Sequence, residues 1–226
     1  MSLLFRFVTL AFVSSAMVPA GAAPGPADIL RVVEGIPAFS LYEVPGILRL
    51  DPEKACALLF DQDRHVYGAL GTSSGGRVVA FAHDVFLAAE RFQTEPALGK
   101  LAANSIRWAG LAETPAVGMD PGLKALEPLL RAQGFEVRSI APAELERQVD
   151  VYCFAGPRPV SKQGMDNLRR FLLKGGGVIT VATPWALSEA FPDFHRLPAN
   201  EIAMLAGIEF LPEGTAQIRG IVKFPK

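Results

Sequence analysis

The sequence predicts an α/β protein, a three-layer sandwich with a mostly parallel sheet that is preceded by a β-meander. Residues 57–82 contain three short apolar runs separated by turn-forming residues, which is typical of a meander. Beyond residue 96, helical periodicity alternates with short β-branched runs, and this alternation favours parallel strands with right-handed crossovers. A chain of 226 residues is long enough for one main core without a disulfide or metal.

The amino terminus predicts a secretory signal peptide in residues 1–22. Arg6 supplies a positive charge, residues 7–18 form an apolar stretch, and Ala20-Gly21-Ala22 is a cleavage signal. An uncleaved anchor is disfavoured because two serines interrupt a run shorter than the roughly 20 residues that cross a bilayer. We therefore expect a secreted or periplasmic protein with no membrane span after cleavage.

The rest of the chain divides by composition into three parts. Residues 23–36 are rich in Ala, Gly and Pro and are expected to form a linker. Residues 37–212 are expected to form the α/β domain. Residues 213–226 form a tail that ends without a recognisable stop signal and indicates a truncated chain.

Periodicity and capping residues place the elements of the domain. We expect strands at residues 57–61, 65–70, 77–82, 116–119, 135–140, 149–155, 178–182 and 208–211. We expect helices at residues 85–90, 96–109, 121–134, 161–174 and 200–206. Asp120 and Ser161 are predicted N-caps, and Pro121 suits the first turn of its helix. Three glycines at 175–177 end one helix and lead into the next strand.

Charge and composition argue against several classes of partner. The formal net charge is -1, and Arg169-Arg170 is the only adjacent basic pair, so neither nucleic acid nor an anionic membrane is expected. Three histidines without an HExxH or CxxC motif predict no metal and no cofactor. Cys56 and Cys153 are either a disulfide in an oxidising compartment or two free thiols.

Two residues are candidate nucleophiles for a hydrolase or amidase. Ser73 lies in a G-x-S-x-G pattern at residues 71–75, but a nucleophile elbow needs a helix after the serine and here a strand follows. Cys153 lies within an apolar run typical of a strand interior rather than of an exposed turn. Catalysis by either residue is the alternative to a non-catalytic domain.

Polar residues follow several predicted strands and form a candidate binding site. His83 and Asp84 come directly after the 77–82 strand, and Arg158 and Trp185 follow two later strands. The carboxyl ends of parallel strands meet at one edge, where ligands usually bind. Equally, His83 and Asp84 could serve only to bond backbone and cap a helix. Other residues at the same edge are Asp120, Gly156, Ser161 and Thr183.

Several of these motifs together resemble one known domain. They are the Gly76-to-Asp84 strand and its polar end, Asn104-x-x-x-Trp108, Asp150-Val151-Tyr152, the segment from Phe171 to Ile179, and Trp185. The sequence is similar over residues 36–211 to the glutamine-amidotransferase-like domain that precedes the metallopeptidase unit of enhancin-like, mucin-degrading peptidases. The same domain occurs in TRPM-channel-associated factors. One departure is Ala82 before His83, where the family more often has glycine.

The resemblance implies a flavodoxin-like, class I glutamine-amidotransferase-like fold without the catalytic cysteine elbow. In that family peptidase activity resides in a separate HExxH zinc unit, which this sequence does not contain. The implied function is that of a pseudoenzyme-like accessory or recognition domain for glycans or glycoproteins. The expected ligand-binding residues are His83, Asp84, Arg158 and Trp185, with no catalytic residue.

Overall fold

The structure, a computed structural model, describes residues 22–145, 148–187, 189–215, 217–218 and 220–223. The predicted signal peptide at residues 1–22 lies outside this part except for Ala22, and it stays a prediction. None of the helices in the described residues has the length and apolar character needed to cross a membrane.

The described chain contains six α-helices and eleven strands. The strands are β1 (Ala38–Leu41), β2 (Gly46–Leu50), β3 (Ala55–Phe60), β4 (Val66–Ser73), β5 (Gly76–Phe81), β6 (Val117–Met119), β7 (Val137–Ser139), β8 (Val151–Ala155), β9 (Gly177–Val181), β10 (Ile208–Gly214) and β11 (Gly220–Lys223). The helices are α1 (Pro26–Val32), α2 (Ala89–Thr94), α3 (Pro96–Gly110), α4 (Glu127–Ala132), α5 (Lys162–Leu173) and α6 (Pro198–Ala203). Short 3-10 turns occur at Asp84–Leu87, Pro121–Leu126, Pro142–Glu144, Pro184–Ala186, Phe194–Arg196 and Met204–Ala206.

Nine strands form one mixed sheet, in the order β10-β2-β4-β5-β9-β8-β6-β7, with β3 paired to β4. Strands β5, β9, β8, β6 and β7 are parallel, whereas every pairing among β10, β2, β4, β3 and β5 is antiparallel. The α/β architecture is confirmed, but the expectation of a mostly parallel sheet is wrong. The predicted meander does not precede the sheet. It extends it, because a tight turn at Ser74 and Gly75, both with positive φ, joins β4 to β5.

The core lies on both faces of the parallel half of the sheet. All five residues of β9 and the first four of β8 are buried, as expected of strands covered by helices on both sides. Helix α3 buries one apolar face, including Leu98, Leu101 and Trp108. Gly177 allows α3 to approach, since a Cβ built there would lie 2.6 Å from the carbonyl oxygen of Ala109.

The predicted linker at residues 23–36 instead includes α1, which is packed on the domain. Val32 is fully buried, and Trp108 Nε1 donates a hydrogen bond to Asp28 Oδ1 at 2.8 Å. Asn104 Nδ2 donates to the carbonyl oxygens of Val32 and Glu34. These contacts explain the Asn104-x-x-x-Trp108 motif, since both side chains anchor α1 to α3.

The predicted tail at residues 213–226 also contains ordered structure. Strand β11 pairs antiparallel with β1, with Ala38 opposite Lys223 and Leu41 opposite Gly220. The two form a separate two-stranded sheet. The folded unit therefore begins before residue 37 and continues beyond residue 212.

Candidate functional site

Four parallel strands end at one edge of the sheet, and residues that follow them border an open cleft. Strands β5, β9, β8 and β6 are neighbours in that order, so their carboxyl ends meet, where α/β sheets commonly bind ligands. His83 and Asp84 follow β5, Arg158 follows β8, and Gly122 follows β6. These four residues line a cleft of about 510 Å³.

The His83 imidazole is largely buried and lies between two carboxylates. Its Nδ1 is 2.9 Å from Asp84 Oδ1, and its Nε2 is 3.7 Å from Glu43 Oε2. The Val85 backbone N–H also donates to Nδ1, at 3.2 Å, which makes His83 the N-cap of the following 3-10 turn. One nitrogen cannot accept from Val85 and donate to Asp84 at the same time.

Asp84 presents its carboxylate to solvent while contacts on its inner side keep it ionised. The hydrogen bond with His83 holds the pKa of Asp84 below its ordinary value, against the opposing effect of partial burial. The Thr183 hydroxyl donates to Oδ1 at 3.3 Å, and this contact lowers the pKa further. Thr183 Oγ1 also accepts the Asp84 backbone N–H at 3.3 Å. The hydroxyl thus ties the end of β9 to the end of β5.

The Arg158 guanidinium lies against the backbone of Gly122. A Cβ built at Gly122 would be 2.3 Å from Arg158 Cζ, so only glycine leaves room for the guanidinium at this place. Asp120 holds the Gly122 backbone by accepting its N–H at 2.7 Å. This contact also confirms Asp120 as the predicted N-cap. Within the described residues, no carboxylate forms an ion pair with the exposed Arg158 side chain.

Three charged residues of the cleft were missed by the sequence analysis. Glu90 and Arg91 border the cleft from α2, and Glu43 borders it from the segment between β1 and β2. The sequence signal for Glu90 and Arg91 was their closeness to His83, since Glu90 ends the helix predicted at residues 85–90 and Arg91 directly follows it. Glu43 could not have been found in this way, because neither flanking strand was predicted.

Trp185 lies beside the cleft rather than in its lining. The residue is 43% exposed, and its Nε1 donates to the Val44 carbonyl oxygen at 2.7 Å. Val44 adjoins Glu43, which faces His83. The structure therefore brings His83, Asp84 and Arg158 together and places Trp185 on the adjoining surface.

Neither candidate nucleophile has the geometry of a catalytic residue. Ser73 is buried at the end of β4 and pairs with Gly76 at the start of β5, whereas His83 follows the opposite end of β5. That length of strand separates the two by roughly 20 Å. Cys153 is fully buried within β8, and burial raises the pKa of its thiol to about 12. The thiolate needed for nucleophilic attack is therefore disfavoured.

The two cysteines are free thiols. Cys56 lies on β3 and Cys153 on β8, and three strands separate β3 from β8 in the sheet. At the usual strand spacing this is roughly 19 Å, far beyond the reach of a disulfide, which needs Cα atoms within about 7 Å.

One group of side chains in the described residues has the spacing of metal ligands. Single ligand atoms of Asp61, Asp63 and His65 lie within 4.8 Å of one another at the β3–β4 turn. His65 Nδ1 is already 2.9 Å from Asp61 Oδ2. None of the three lines the cleft, and exposed acidic groups of this kind are common without an ion.

The fold and this edge define the class of the protein, a mixed α/β domain with a polar cleft where its parallel strands end. The sequence model of the TCAF_N family, described as "TRPM8, N-terminal domain", matches residues 25–224. The chain belongs to this family. The resemblance to the domain of TRPM-channel-associated factors is thereby confirmed. The match also begins at α1, in agreement with the packing of that helix on the domain.

Known proteins similar to the chain are much longer than it. It is 29% identical to human TRPM8 channel-associated factor 2 over 191 residues, 82% of this chain and 20% of that protein. It is 33% identical to human TRPM8 channel-associated factor 1 over 136 residues, 59% of this chain and 14% of that protein. The chain therefore spans about a fifth or less of the length of these relatives.

Solved structures of the IMPa metallopeptidase from Pseudomonas aeruginosa share the fold. The structure in complex with an O-glycopeptide has a TM-score of 0.57 and 15% identity, over 82% of this chain and 22% of that one. The structure in complex with T-antigen has a TM-score of 0.57 and 14% identity, over 85% and 23%. At this identity the likeness concerns the fold alone.

Proposed function

We propose that this chain is an exported, non-catalytic recognition domain that binds a glycan or glycoprotein and is associated with an enhancin-like metallopeptidase. The observation that carries the proposal is the cleft bordered by His83, Asp84 and Arg158. A pocket with a few converging polar groups at a sheet edge is the usual form of a small-molecule site.

The groups around the cleft have the chemistry that sugars require. Sugar hydroxyls donate and accept hydrogen bonds, and here the carboxylates of Asp84 and Glu43 accept while the Arg158 guanidinium donates. The exposed ring of Trp185, on the adjoining surface, offers an apolar face for stacking on a sugar.

Two further observations support a recognition role over catalysis. The IMPa structures of the same fold carry an O-glycopeptide and T-antigen, which supports a glycoprotein ligand for this domain. The buried positions of Ser73 and Cys153 argue against the hydrolase or amidase alternative. Labelling by a serine- or thiol-directed probe that is lost on Ser73→Ala or Cys153→Ala would revive it.

Calorimetric titration with a T-antigen O-glycopeptide tests the site. His83→Asn keeps a side-chain oxygen for the N-cap but removes the imidazole, and Trp185→Ala removes the stacking face. We expect the double variant to lose binding at least tenfold while its thermal midpoint stays within a few degrees. Arg138→Ala, on edge strand β7, is the matched control and should bind normally. Unchanged affinity in the double variant would remove this cleft as the binding site.

Export is a separate part of the proposal, and it rests on the sequence of residues 1–22. Expression of the full chain in a bacterial host should yield a mature protein outside the cytoplasm that begins near Ala23. Amino-terminal sequencing of the purified protein checks this. An intact Met1 terminus in the cytoplasm would contradict export and leave the binding proposal standing.

A further inference from the structure

Two arginines line the cleft without a partner for their charge. Arg91 borders it from α2 and Arg158 from the segment after β8. In the described part of the chain neither side chain forms an ion pair, and Arg91 Nε is buried without a hydrogen-bond partner. An arginine stays protonated at every physiological pH, so both charges are permanent.

Two of the three carboxylates that line the cleft are directed to His83, and the third, Glu90, borders the cleft from α2 beside Arg91. Asp84 lies 2.9 Å and Glu43 3.7 Å from the ring nitrogens of His83. They therefore gather at the end of β5, whereas Arg158 lies over Gly122 beside the ends of β8 and β6. Strands β5 and β8 are two steps apart in the sheet, or about 10 Å. Asp84 and Glu43 thus lie at the end of β5 and Arg158 lies about two strands away, while Glu90 and Arg91 border the cleft from α2.

The position of Arg158 suits recognition of an anion that offers two oxygen atoms. Its guanidinium rests on a glycine backbone that Asp120 holds in place. A guanidinium binds a carboxylate or sulfate through two parallel N–H bonds. The Arg91 Nε–H is a buried donor without an acceptor in the described residues, which costs free energy.

We propose that the cleft selects an acidic glycan, with a carboxylate or sulfate group held by Arg158 and Arg91 and sugar hydroxyls facing His83 and Asp84. The inference rests on the proposed function and narrows its ligand class. The roughly 10 Å between the ends of β5 and β8 corresponds to the length of a disaccharide rather than a single sugar.

The test compares three O-glycopeptides with the same peptide, carrying neutral, sialylated or sulfated T-antigen. Calorimetric titration of the purified chain should show at least tenfold tighter binding of one or both acidic forms. The tighter of the two identifies whether a carboxylate or a sulfate is the preferred source of charge. Raising the salt concentration should weaken the acidic forms more than the neutral form.

Gly122→Ala is the decisive variant because it leaves every charge in place. Its new Cβ would displace the Arg158 guanidinium, the flexible end of a side chain, and should leave thermal unfolding nearly unchanged. We expect the acidic preference to fall at least fivefold in Gly122→Ala and in Arg91→Gln. Arg158→Lys should lose part of it, because lysine keeps the charge without the planar fork. Gly25→Ala, where a Cβ meets open space, is the control.

Equal affinity for the neutral and acidic glycopeptides would overturn this inference and leave the proposed function intact. Absence of binding to all three would overturn both. An acidic preference that survives in both Gly122→Ala and Arg91→Gln would show that the anion binds elsewhere and would likewise refute the inference.

Discussion

Replacement of Trp108 by phenylalanine tests whether α1, in a segment with the composition of a linker, stabilises the domain. The indole N–H of Trp108 donates to Asp28 Oδ1 at 2.8 Å, and the ring is 1% exposed. Phenylalanine keeps an aromatic face for the Arg77 guanidinium, which lies 4.7 Å from the Trp108 ring. The substitution therefore removes mainly one hydrogen bond and a small volume.

The expected loss of stability follows from the charge of the acceptor, the Asp28 carboxylate. A hydrogen bond to a charged group contributes about 1.5–3 kcal/mol to stability. Asp28→Ala removes the same bond and also the contact of Oδ2 with the Gly25 backbone N–H. A double-mutant cycle cancels that second contact and the lost volume. We expect a coupling energy of about 2 kcal/mol between Trp108 and Asp28.

Urea denaturation followed by circular dichroism provides the assay, because fluorescence would change with the loss of one of two tryptophans. Trp185→Phe is the matched control. It also removes an indole N–H bond, to the Val44 carbonyl, but from an exposed ring, so its cost should stay below about 1 kcal/mol. A coupling energy below about 0.5 kcal/mol in the cycle would refute the docking of α1 on α3.

Three further predictions follow from other contacts. In carboxyl-detected NMR titration, Asp84 should have a pKa below its ordinary value, and this pKa should rise in His83→Asn. The stabilisation from this contact is present above the unfolded pKa and is lost as the pH falls through the lower folded pKa. An unchanged Asp84 pKa in the variant would contradict the assigned cause. Gly177→Ala should destabilise the domain by about 1–3 kcal/mol in urea denaturation because its Cβ meets the Ala109 backbone, and wild-type stability would exclude this close approach. Burial raises the pKa of Cys56 to about 11 and the pKa of Cys153 to about 12. A thiol reagent at pH 8 should therefore label both cysteines only after denaturation. Fast labelling of the folded chain would contradict the burial of these thiols.

The parallel half of the sheet could be predicted because its signals are local. Strands β6, β8 and β9 are short apolar runs between capped helices, and Asp120 and Ser161 begin the following segments as expected. In the antiparallel half, the local pairings of β3, β4 and β5 were predicted as a meander, but the pairings that are remote in sequence were harder. Strand β2 pairs with β10 about 160 residues later, and β1 pairs with β11. No local pattern specifies such partners, so α1, β1, β2 and β11 were missed.

The part of the candidate site that follows the parallel strands could also be predicted. His83, Asp84 and Arg158 follow parallel strands, and that position alone was enough to place them at one cleft. Trp185 also follows one of these strands, but the 3-10 turn that begins at Pro184 directs it toward Val44. Glu43 reaches the site from a strand pair that the sequence did not reveal.

Backbone amide shift mapping during titration with a T-antigen O-glycopeptide tests the central claim most directly. We expect the largest shifts at His83, Asp84, Gly122 and Arg158, with smaller ones near Trp185. A second cleft, of about 410 Å³, is lined by Gln163, Asn167, Arg170 and Lys174 and provides an internal comparison. Shifts confined to that second cleft, with none around His83 and Arg158, would contradict the account.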